Sequence, residues 1–95
     1  MMHKFTEFFK PYFAKTIEAY RIKLHLTQAE MAEVLAVSSR YYYDIKYEIS
    51  MISVPELILF LNLLTDDEKL DLFHDMERLL QKAAYEAYLD KIDFI

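Results

Sequence analysis

Apolar and polar residues follow each other along this chain with the period of an α-helix, and capping signals divide the pattern into five segments. A capping box pairs a serine or threonine with a glutamate three residues later, so that each satisfies a free N–H group. Three stretches have this form: Thr27-Gln28-Ala29-Glu30, Ser53-Val54-Pro55-Glu56 and Thr65-Asp66-Asp67-Glu68. With Ser38 or Ser39 as a further cap, the spacing predicts helices at about 13–24, 28–35, 39–47, 54–63 and 66–88.

Two features at the ends of the chain extend this pattern. Pro11 either starts the first helix or kinks a longer one, and an aromatic segment at residues 5–12 surrounds it. In the fifth segment apolar residues recur at helical spacing, with Met76 and Leu79 nearby. The recurring residues are Leu70, Phe73, Leu80, Ala84 and Tyr88.

The composition supports an all-α protein with a single domain over residues 1–95. The chain has no glycine, and tight β-hairpins need residues that accept a positive φ, which glycine mostly supplies. It has no cysteine, which excludes disulfides, thiolate metal sites and cysteine nucleophiles. It has no apolar run of about 18 residues and no signal-peptide pattern, so we expect no membrane segment and a cytoplasmic location.

The net charge of −5 is unevenly distributed along the chain. Residues 1–47 contain seven basic and five acidic residues, whereas residues 48–95 contain four basic and eleven acidic residues. The acidity therefore lies in the C-terminal half. The mildly basic N-terminal half is compatible with binding to nucleic acid.

Residues 26–38, which read LTQAEMAEVLAVS, are the most informative stretch. Ala32 is small enough for two helices to cross closely, and Met31 and Leu35 share its face. Tyr42 and Ile45 can pack back onto that face from the next helix. A short helix, a turn of three or four residues and a second helix at a steep angle make a helix-turn-helix unit.

This stretch resembles the Cro/C1-type (XRE-like) helix-turn-helix family. The residues that match the family pattern are Leu26, Thr27, Gln28, Met31, Ala32, Leu35, Val37 and Ser38. Ala36 stands where the family has its turn glycine, and Lys46 and Glu48 replace the glutamate–glycine pair that usually ends the third helix. The resemblance covers about residues 13–64 and implies a lambda-repressor-like bundle with a central helix-turn-helix. The long C-terminal helix is an addition to the family unit and brings the predicted bundle to five helices.

The resemblance also implies a sequence-specific transcriptional regulator whose third helix enters the major groove of double-stranded DNA. Arg40 suits guanine or a phosphate because its planar guanidinium can bind two acceptors at once. Gln28 begins the second helix, where its side chain and the free N–H groups suit a phosphate. The predicted DNA contacts are Gln28, Ser38, Ser39, Arg40 and Tyr43, with Arg21, Lys23 and Lys46 on the DNA backbone.

Two alternatives accompany this interpretation. The same fold can bind a protein partner instead of DNA. It could do so through Tyr41 and Tyr43, whose rings we expect to protrude from the third helix, or through the acidic C-terminal helix. The C-terminal helix and the aromatic N-terminal segment either join two copies in a homodimer, which we favour because palindromic operators require one, or enlarge the core of a monomer. We predict no enzyme activity, cofactor or metal site, because no nucleophile–base pairing, phosphate-binding loop or metal-ligand spacing is present.

Overall fold

The computed structural model describes residues 2–92, with side chains for residues 5–91. Within that range there are five α-helices and no strand: α1 Met2–Lys23, α2 Gln28–Val34, α3 Ser39–Lys46, α4 Val54–Leu61 and α5 Asp66–Ile92. The predicted all-α fold of five helices with a long C-terminal helix is confirmed. The predicted starts of α2 to α5 are also the observed ones.

The first helix begins much earlier than the predicted residue 13, and Pro11 lies inside it. A proline in a helix interior removes one backbone hydrogen bond and costs about 3 kcal/mol. Aromatic packing offsets this cost, because Phe5, Phe9 and Phe13 lie four residues apart on one face and join the hydrophobic core. Their successive ring centroids are 5.9 Å apart. The Pro11 ring itself is exposed.

Two of the three predicted capping boxes form. At α2, the Glu30 amide donates to Thr27 Oγ1 over 3.1 Å, and the Thr27 amide donates to Glu30 Oε1 over 2.8 Å. Thr65 and Glu68 repeat this exchange at α5 over 3.2 and 2.9 Å. Ser38 rather than Ser39 caps α3, accepting from the Tyr41 amide over 3.0 Å.

The third predicted capping box, at Ser53, is wrong, although α4 begins where it predicts. Ser53 makes no side-chain capping bond. Its expected partner Glu56 is half-buried near Tyr41, and the Oε2 atom of Glu56 has no hydrogen-bond partner among the described residues. One oxygen of the Glu56 carboxylate is therefore buried, and the serine half of the capping box is absent.

Helices α1, α2 and α3 each end in the same left-handed turn, although the chain has no glycine. The residues at positive φ are His25 (56°), Ala36 (57°) and Glu48 (61°). In each turn the residue that follows the one at positive φ donates its amide N–H to the carbonyl five residues before it. The Val37 amide, for example, donates to the Ala32 carbonyl over 2.9 Å. These turns end each helix abruptly and set the angle at which the next one leaves.

The core lies between α1, the α2–α3 pair and α4. Its most deeply buried large side chains are Ile17, Met31, Leu35, Tyr42, Ile45 and Phe60. Helix α5 returns antiparallel along α1, as shown by hydrogen bonds from Tyr20 to Glu68 over 2.8 Å and from Tyr12 to Asp75 over 3.0 Å. The long α1–α5 pair makes the protein elongated, with extents of 50 × 30 × 20 Å.

Helix α5 carries apolar residues on two faces. Leu72 and Ala83 are buried, and Met76 and Leu79 are partly buried against the core. The five residues that recur in the sequence (Leu70, Phe73, Leu80, Ala84 and Tyr88) lie on another face, which we call the outer stripe. All five are exposed, with exposed fractions of 55% for Leu70 and 50% for Phe73. The sequence pattern thus predicts the helix correctly, but its most regular apolar stripe faces away from the core.

Candidate nucleic-acid interface

Helices α2 and α3 cross at Ala32, as the sequence predicts. Ala32 is 2% exposed, and Met31 and Leu35 from α2 are fully buried beside it. Tyr42 and Ile45 of α3 pack onto this face with 1% and 2% exposure. Because the inner face of α3 is wholly occupied by this packing, its outer face is presented to the surroundings.

Arg40 lies on the exposed first turn of α3, and two neighbours hold its guanidinium. Its Nε donates to Asp44 Oδ1 over 3.2 Å, and its central carbon lies 5.4 Å from the ring centroid of Tyr43. The Arg40 side chain is nevertheless 80% exposed, and the terminal nitrogens have no hydrogen-bond partner among the described residues. The guanidinium is therefore oriented by the helix and keeps its outer edge available for a bidentate acceptor.

Aromatic rings continue along the same face toward the end of α3. The centroids of Tyr43 and Tyr47 are 4.5 Å apart, and Lys46 Nζ lies 5.3 Å from the Tyr47 centroid. We use the name aromatic ladder for Arg40, Tyr43 and Tyr47, that is, the two tyrosine rings and the guanidinium that lies against the first of them. Tyr47 was missed by the sequence analysis, although its position four residues after Tyr43 places both on one helix face.

Glu18 of α1 connects two predicted DNA-backbone contacts to the interior of the protein. It accepts hydrogen bonds from Arg21 Nε over 2.8 Å and from the Tyr42 hydroxyl, and it lies 3.4 Å from Lys46 Nζ. Burial alone would raise the pKa of Glu18, but the hydrogen bonds from Arg21 and Tyr42 outweigh it and lower this pKa. Glu18 is not among the predicted site residues, although its place three residues before Arg21 is a standard spacing for an ion pair.

Arg21 is occupied within the fold. Besides its bonds to Glu18, its Nη1 donates to the Leu26 carbonyl over 2.9 Å, and only 17% of its side chain is exposed. Arg21 thereby fastens the turn between α1 and α2. Its contacts are internal, whereas those of Arg40 leave a free edge.

Lys23 and Gln28 lie at the junction of α1 with α2 and α5. Lys23 Nζ donates to Glu68 Oε2 over 2.8 Å, and its side chain is 63% exposed. Tyr20 donates to the same carboxylate, and burial together with this bond raises the pKa of Tyr20 to about 12. Gln28 is exposed at the first position of α2, and Ser39 is exposed beside Arg40.

The prediction that Tyr41 protrudes is wrong. Tyr41 is half-buried, and its hydroxyl donates to the Met51 carbonyl over 2.9 Å, so it holds the α3–α4 connection in place. Tyr43 is 45% exposed, as expected. Of the two tyrosines predicted to bind a protein partner, only Tyr43 presents its ring to the surroundings.

The comparison with known protein families bears on the central part of the chain. A family model described as helix-turn-helix matches residues 17–65, just over half of the chain. The chain belongs to the Cro/C1-type helix-turn-helix family. This confirms the resemblance drawn from residues 26–38. The matched segment contains α2, α3 and α4 and ends just before α5, which leaves the C-terminal helix outside the Cro/C1-type unit.

No curated protein and no solved structure matches the chain. Among residues 2–92 no group of three or more histidine, cysteine, aspartate or glutamate residues is arranged to hold a metal ion. None of the described helices combines the length and apolar character needed to cross a membrane.

Proposed function

We propose that this protein is a sequence-specific, DNA-binding transcriptional regulator of the Cro/C1 type, located in the cytoplasm, with α3 in the major groove. Members of the family are typically DNA-binding regulators and are not typically enzymes. The observation that carries the proposal is the exposed first turn of α3. There the two terminal nitrogens of Arg40 have no hydrogen-bond partner among the described residues, and they match the O6 and N7 acceptors of guanine or two oxygens of a phosphate.

The remaining contacts follow from position and exposure. Gln28 and the free N–H groups at the start of α2 suit a phosphate. Ser39 and Tyr43 lie on the exposed face of α3 beside Arg40, and Ser38 leads into that helix as its cap. We leave Arg21 out of the proposed contact set because its donors are used inside the fold.

Lys23 and Lys46 each have their single ammonium group paired with a carboxylate, so each must exchange that carboxylate for a phosphate on binding DNA. Lys23 is 63% exposed and can exchange Glu68 for a phosphate, while Glu68 keeps its hydrogen bonds from the Tyr20 hydroxyl and the Thr65 amide. Lys46 is only 22% exposed and is less free to leave Glu18. With about four phosphate contacts in each copy of a homodimer, log K should fall with log salt concentration with a slope of about −7.

A titration of the protein with the promoter region of its own gene, at two salt concentrations, tests the proposal. We expect saturable binding that weakens steeply with salt. Arg40→Ala should weaken specific binding by about 1–3 kcal/mol and leave the melting temperature unchanged. Arg78→Ala is the matched control, because Arg78 is also an exposed arginine paired with an aspartate, but on α5.

A second candidate function is binding of a protein partner by the aromatic ladder. It is favoured by the pairing of three predicted phosphate-binding cations with acids: Arg40 with Asp44, Lys46 with Glu18 and Lys23 with Glu68. Tyrosine and arginine are also the residues most enriched at protein interfaces. A folded protein that binds no DNA at low salt would overturn the DNA proposal, and Tyr43→Ala in pull-down experiments would then test the aromatic ladder.

A further inference from the structure

We propose that the outer stripe of α5 pairs with the outer stripe of a second copy of this chain, with the two α5 helices antiparallel across a two-fold axis. This inference deepens the proposed function, which requires two helix-turn-helix units for a palindromic site. It rests on a different surface from the one that would contact DNA. We call the contact between the two α5 helices the seam. Because the seam and the DNA-binding face are different surfaces, an experiment can contradict one without contradicting the other.

The stripe follows one helix face and is interrupted once. At 100° per residue, Leu70, Phe73, Leu80, Ala84 and Tyr88 fall within a sector of about 80°, along most of the length of α5. The exposed Glu77 lies in the same sector, between Phe73 and Leu80. The face that packs on the core, centred on Leu72, Met76, Leu79 and Ala83, lies about 120° away. Within the described residues, no other helix of the same chain covers the stripe.

The exposed area is of the size that a second copy would cover. Leu70, Phe73, Leu80 and Tyr88 are between 42% and 60% exposed. Half-exposed side chains of this size leave roughly 400 Å² of apolar surface in contact with water. A stable interface buries about 800 Å² on each partner, of which somewhat more than half is apolar. The stripe supplies about that apolar part, and a polar rim would supply the rest.

The order of residues along the stripe favours an antiparallel arrangement. Asp66 lies at one end of the stripe and Lys91 at the other, and both are exposed. If the two-fold axis passes between Glu77 and Leu80, Asp66 of one copy meets Lys91 of the other. Phe73 then lies opposite the small Ala84, so large and small side chains interlock.

A parallel arrangement would bring like charges together. Each residue of the stripe would then face its own counterpart, so that Asp66 would meet Asp66, and Glu77, in the middle of the stripe, would meet Glu77. In the antiparallel arrangement Glu77 faces Leu80 and leans toward Gln81 of the second copy, whose amide can donate to it. The charges at the ends of the stripe and the sizes of the facing side chains both favour the antiparallel arrangement, with a second copy of the chain as the partner.

Sedimentation equilibrium of matched glutamate variants tests the seam. Leu80 and Leu89 are leucines of α5 with nearly equal exposure, 42% and 39%, but only Leu80 lies on the outer stripe. We expect a dimer for the natural sequence, a dissociation constant raised at least about tenfold by Leu80→Glu, and no change with Leu89→Glu. A monomer at all concentrations, or equal effects of the two variants, would overturn the proposal. If the protein is a monomer, a different protein becomes the candidate partner of the stripe.

Cross-linking tests the orientation, and the absence of cysteine from the chain makes single-cysteine variants unambiguous. In the antiparallel seam a cysteine at position 66 lies about 38 Å from its counterpart but close to position 91 of the second copy. A short thiol cross-linker should therefore join Asp66→Cys to Lys91→Cys in a mixture and leave Asp66→Cys alone uncoupled. Cross-linking of Asp66→Cys to itself would overturn the antiparallel arrangement. Because positions 66 and 91 are exposed, these variants also keep the test valid if Leu80→Glu fails to fold.

The seam and the proposed function are separable by experiment. A cross-linked dimer that binds no DNA would overturn the DNA proposal and leave the seam standing. A monomer that binds its operator tightly would overturn the seam and leave DNA binding standing.

Discussion

Individual side chains on the candidate interface differ in how fully the protein already uses them. Arg21 makes three hydrogen bonds inside the fold, and Lys46 is held at Glu18. Arg40 is oriented by Asp44 and Tyr43, but within the part of the chain that the structure describes its terminal nitrogens bond to no other group. An oriented side chain loses less entropy on binding than a mobile one. Asp44 can therefore be a positioning residue for Arg40 as well as a negative charge on the surface.

These two roles of Asp44 predict opposite effects on specificity. Asp44→Asn removes a negative charge, so affinity for unrelated DNA should rise. It also loosens Arg40, so preference for the specific site should fall by about 1 kcal/mol, or roughly fivefold. Glu48→Gln is the control, because it changes the charge equally at the end of α3 without touching Arg40. Binding titrations with specific and unrelated duplexes measure both quantities, and an unchanged preference would remove the positioning role.

The turn residue Ala36 carries backbone strain that glycine would relieve. A side chain with a Cβ atom pays roughly 1 kcal/mol for φ near 57°, whereas glycine accepts this conformation freely. We expect Ala36→Gly to raise the free energy of unfolding by about 1 kcal/mol and the melting temperature by about 4–8 °C. Ala19→Gly, in the interior of α1, should lower stability by a similar amount. Thermal melts of the two variants should therefore shift in opposite directions.

At the scale of the elements, the α2–α3 crossing depends on one small residue. Ala32→Leu would insert three carbon atoms where Met31, Leu35 and Tyr42 already fill the space. We expect a loss of about 1–3 kcal/mol of stability from overpacking. Ala29→Leu, on the exposed side of the same helix, should leave the melting temperature nearly unchanged. Equal melting temperatures for the two variants would contradict the crossing at Ala32.

Helix α1 shows an element whose extent depends on its neighbour. Taken alone, Pro11 argues for a helix start near residue 13. The observed helix runs through Pro11 because Phe5 and Phe9, which precede it, join the hydrophobic core. Local propensity therefore predicts the second half of α1, and tertiary packing adds the first half.

Across the whole molecule, two carboxylates join α1 to the other helices. Glu18 links α1 to α3 through Tyr42 and Lys46, and Glu68 links α5 to α1 through Tyr20 and Lys23. The Lys23 ammonium, followed by the Thr65 amide and the Tyr20 hydroxyl, lowers the pKa of Glu68 to about 2 from its ordinary 4.5. Folding is thereby coupled to the ionisation of Glu68.

The sign of this coupling predicts how the protein responds to acid. A carboxylate whose pKa is lower in the folded state stabilises the fold above about pH 4.5, and this contribution is lost as pH falls toward 2. Glu68→Gln should therefore lower the melting temperature at pH 7 and flatten the acid-induced decrease between about pH 5 and pH 2. Asp67→Asn, which removes an exposed carboxylate from the same turn, is the control. A pH series of thermal melts in which both variants follow the natural protein would exclude this role of Glu68.

The sequence predicts the helix-turn-helix well because its signals are local. The Thr27–Glu30 capping box, the small Ala32 and the spacing of Met31 and Leu35 act within one or two turns, and all are confirmed in the structure. Arg40 is recognisable for the same reason, since it lies two residues after the Ser38 cap, in the first turn of α3. The prediction of Arg40 as a DNA contact awaits the binding experiments.

Long-range contacts decide what the sequence leaves undetermined. Glu18 of α1 pairs with Lys46 of α3, and Glu68 of α5 pairs with Lys23 of α1. The Tyr41 hydroxyl of α3 donates to the Met51 carbonyl in the connection to α4. Local spacing predicts none of these partners; it predicts only the Glu18–Arg21 pair within α1. Which predicted cations remain free is therefore a tertiary property.

By itself, the sequence determined the helical class, the starts of α2 to α5 and the helix-turn-helix unit, because caps and periodicity depend on neighbouring residues along the chain. Only the tertiary structure decided that α1 continues through Pro11, which face of α5 packs on the core and which charges are already paired. The physical reason is that an apolar stripe or a charge has no unique partner until the chain returns on itself. In α5, the buried and outer faces are both apolar, and only the position of α1 distinguishes them.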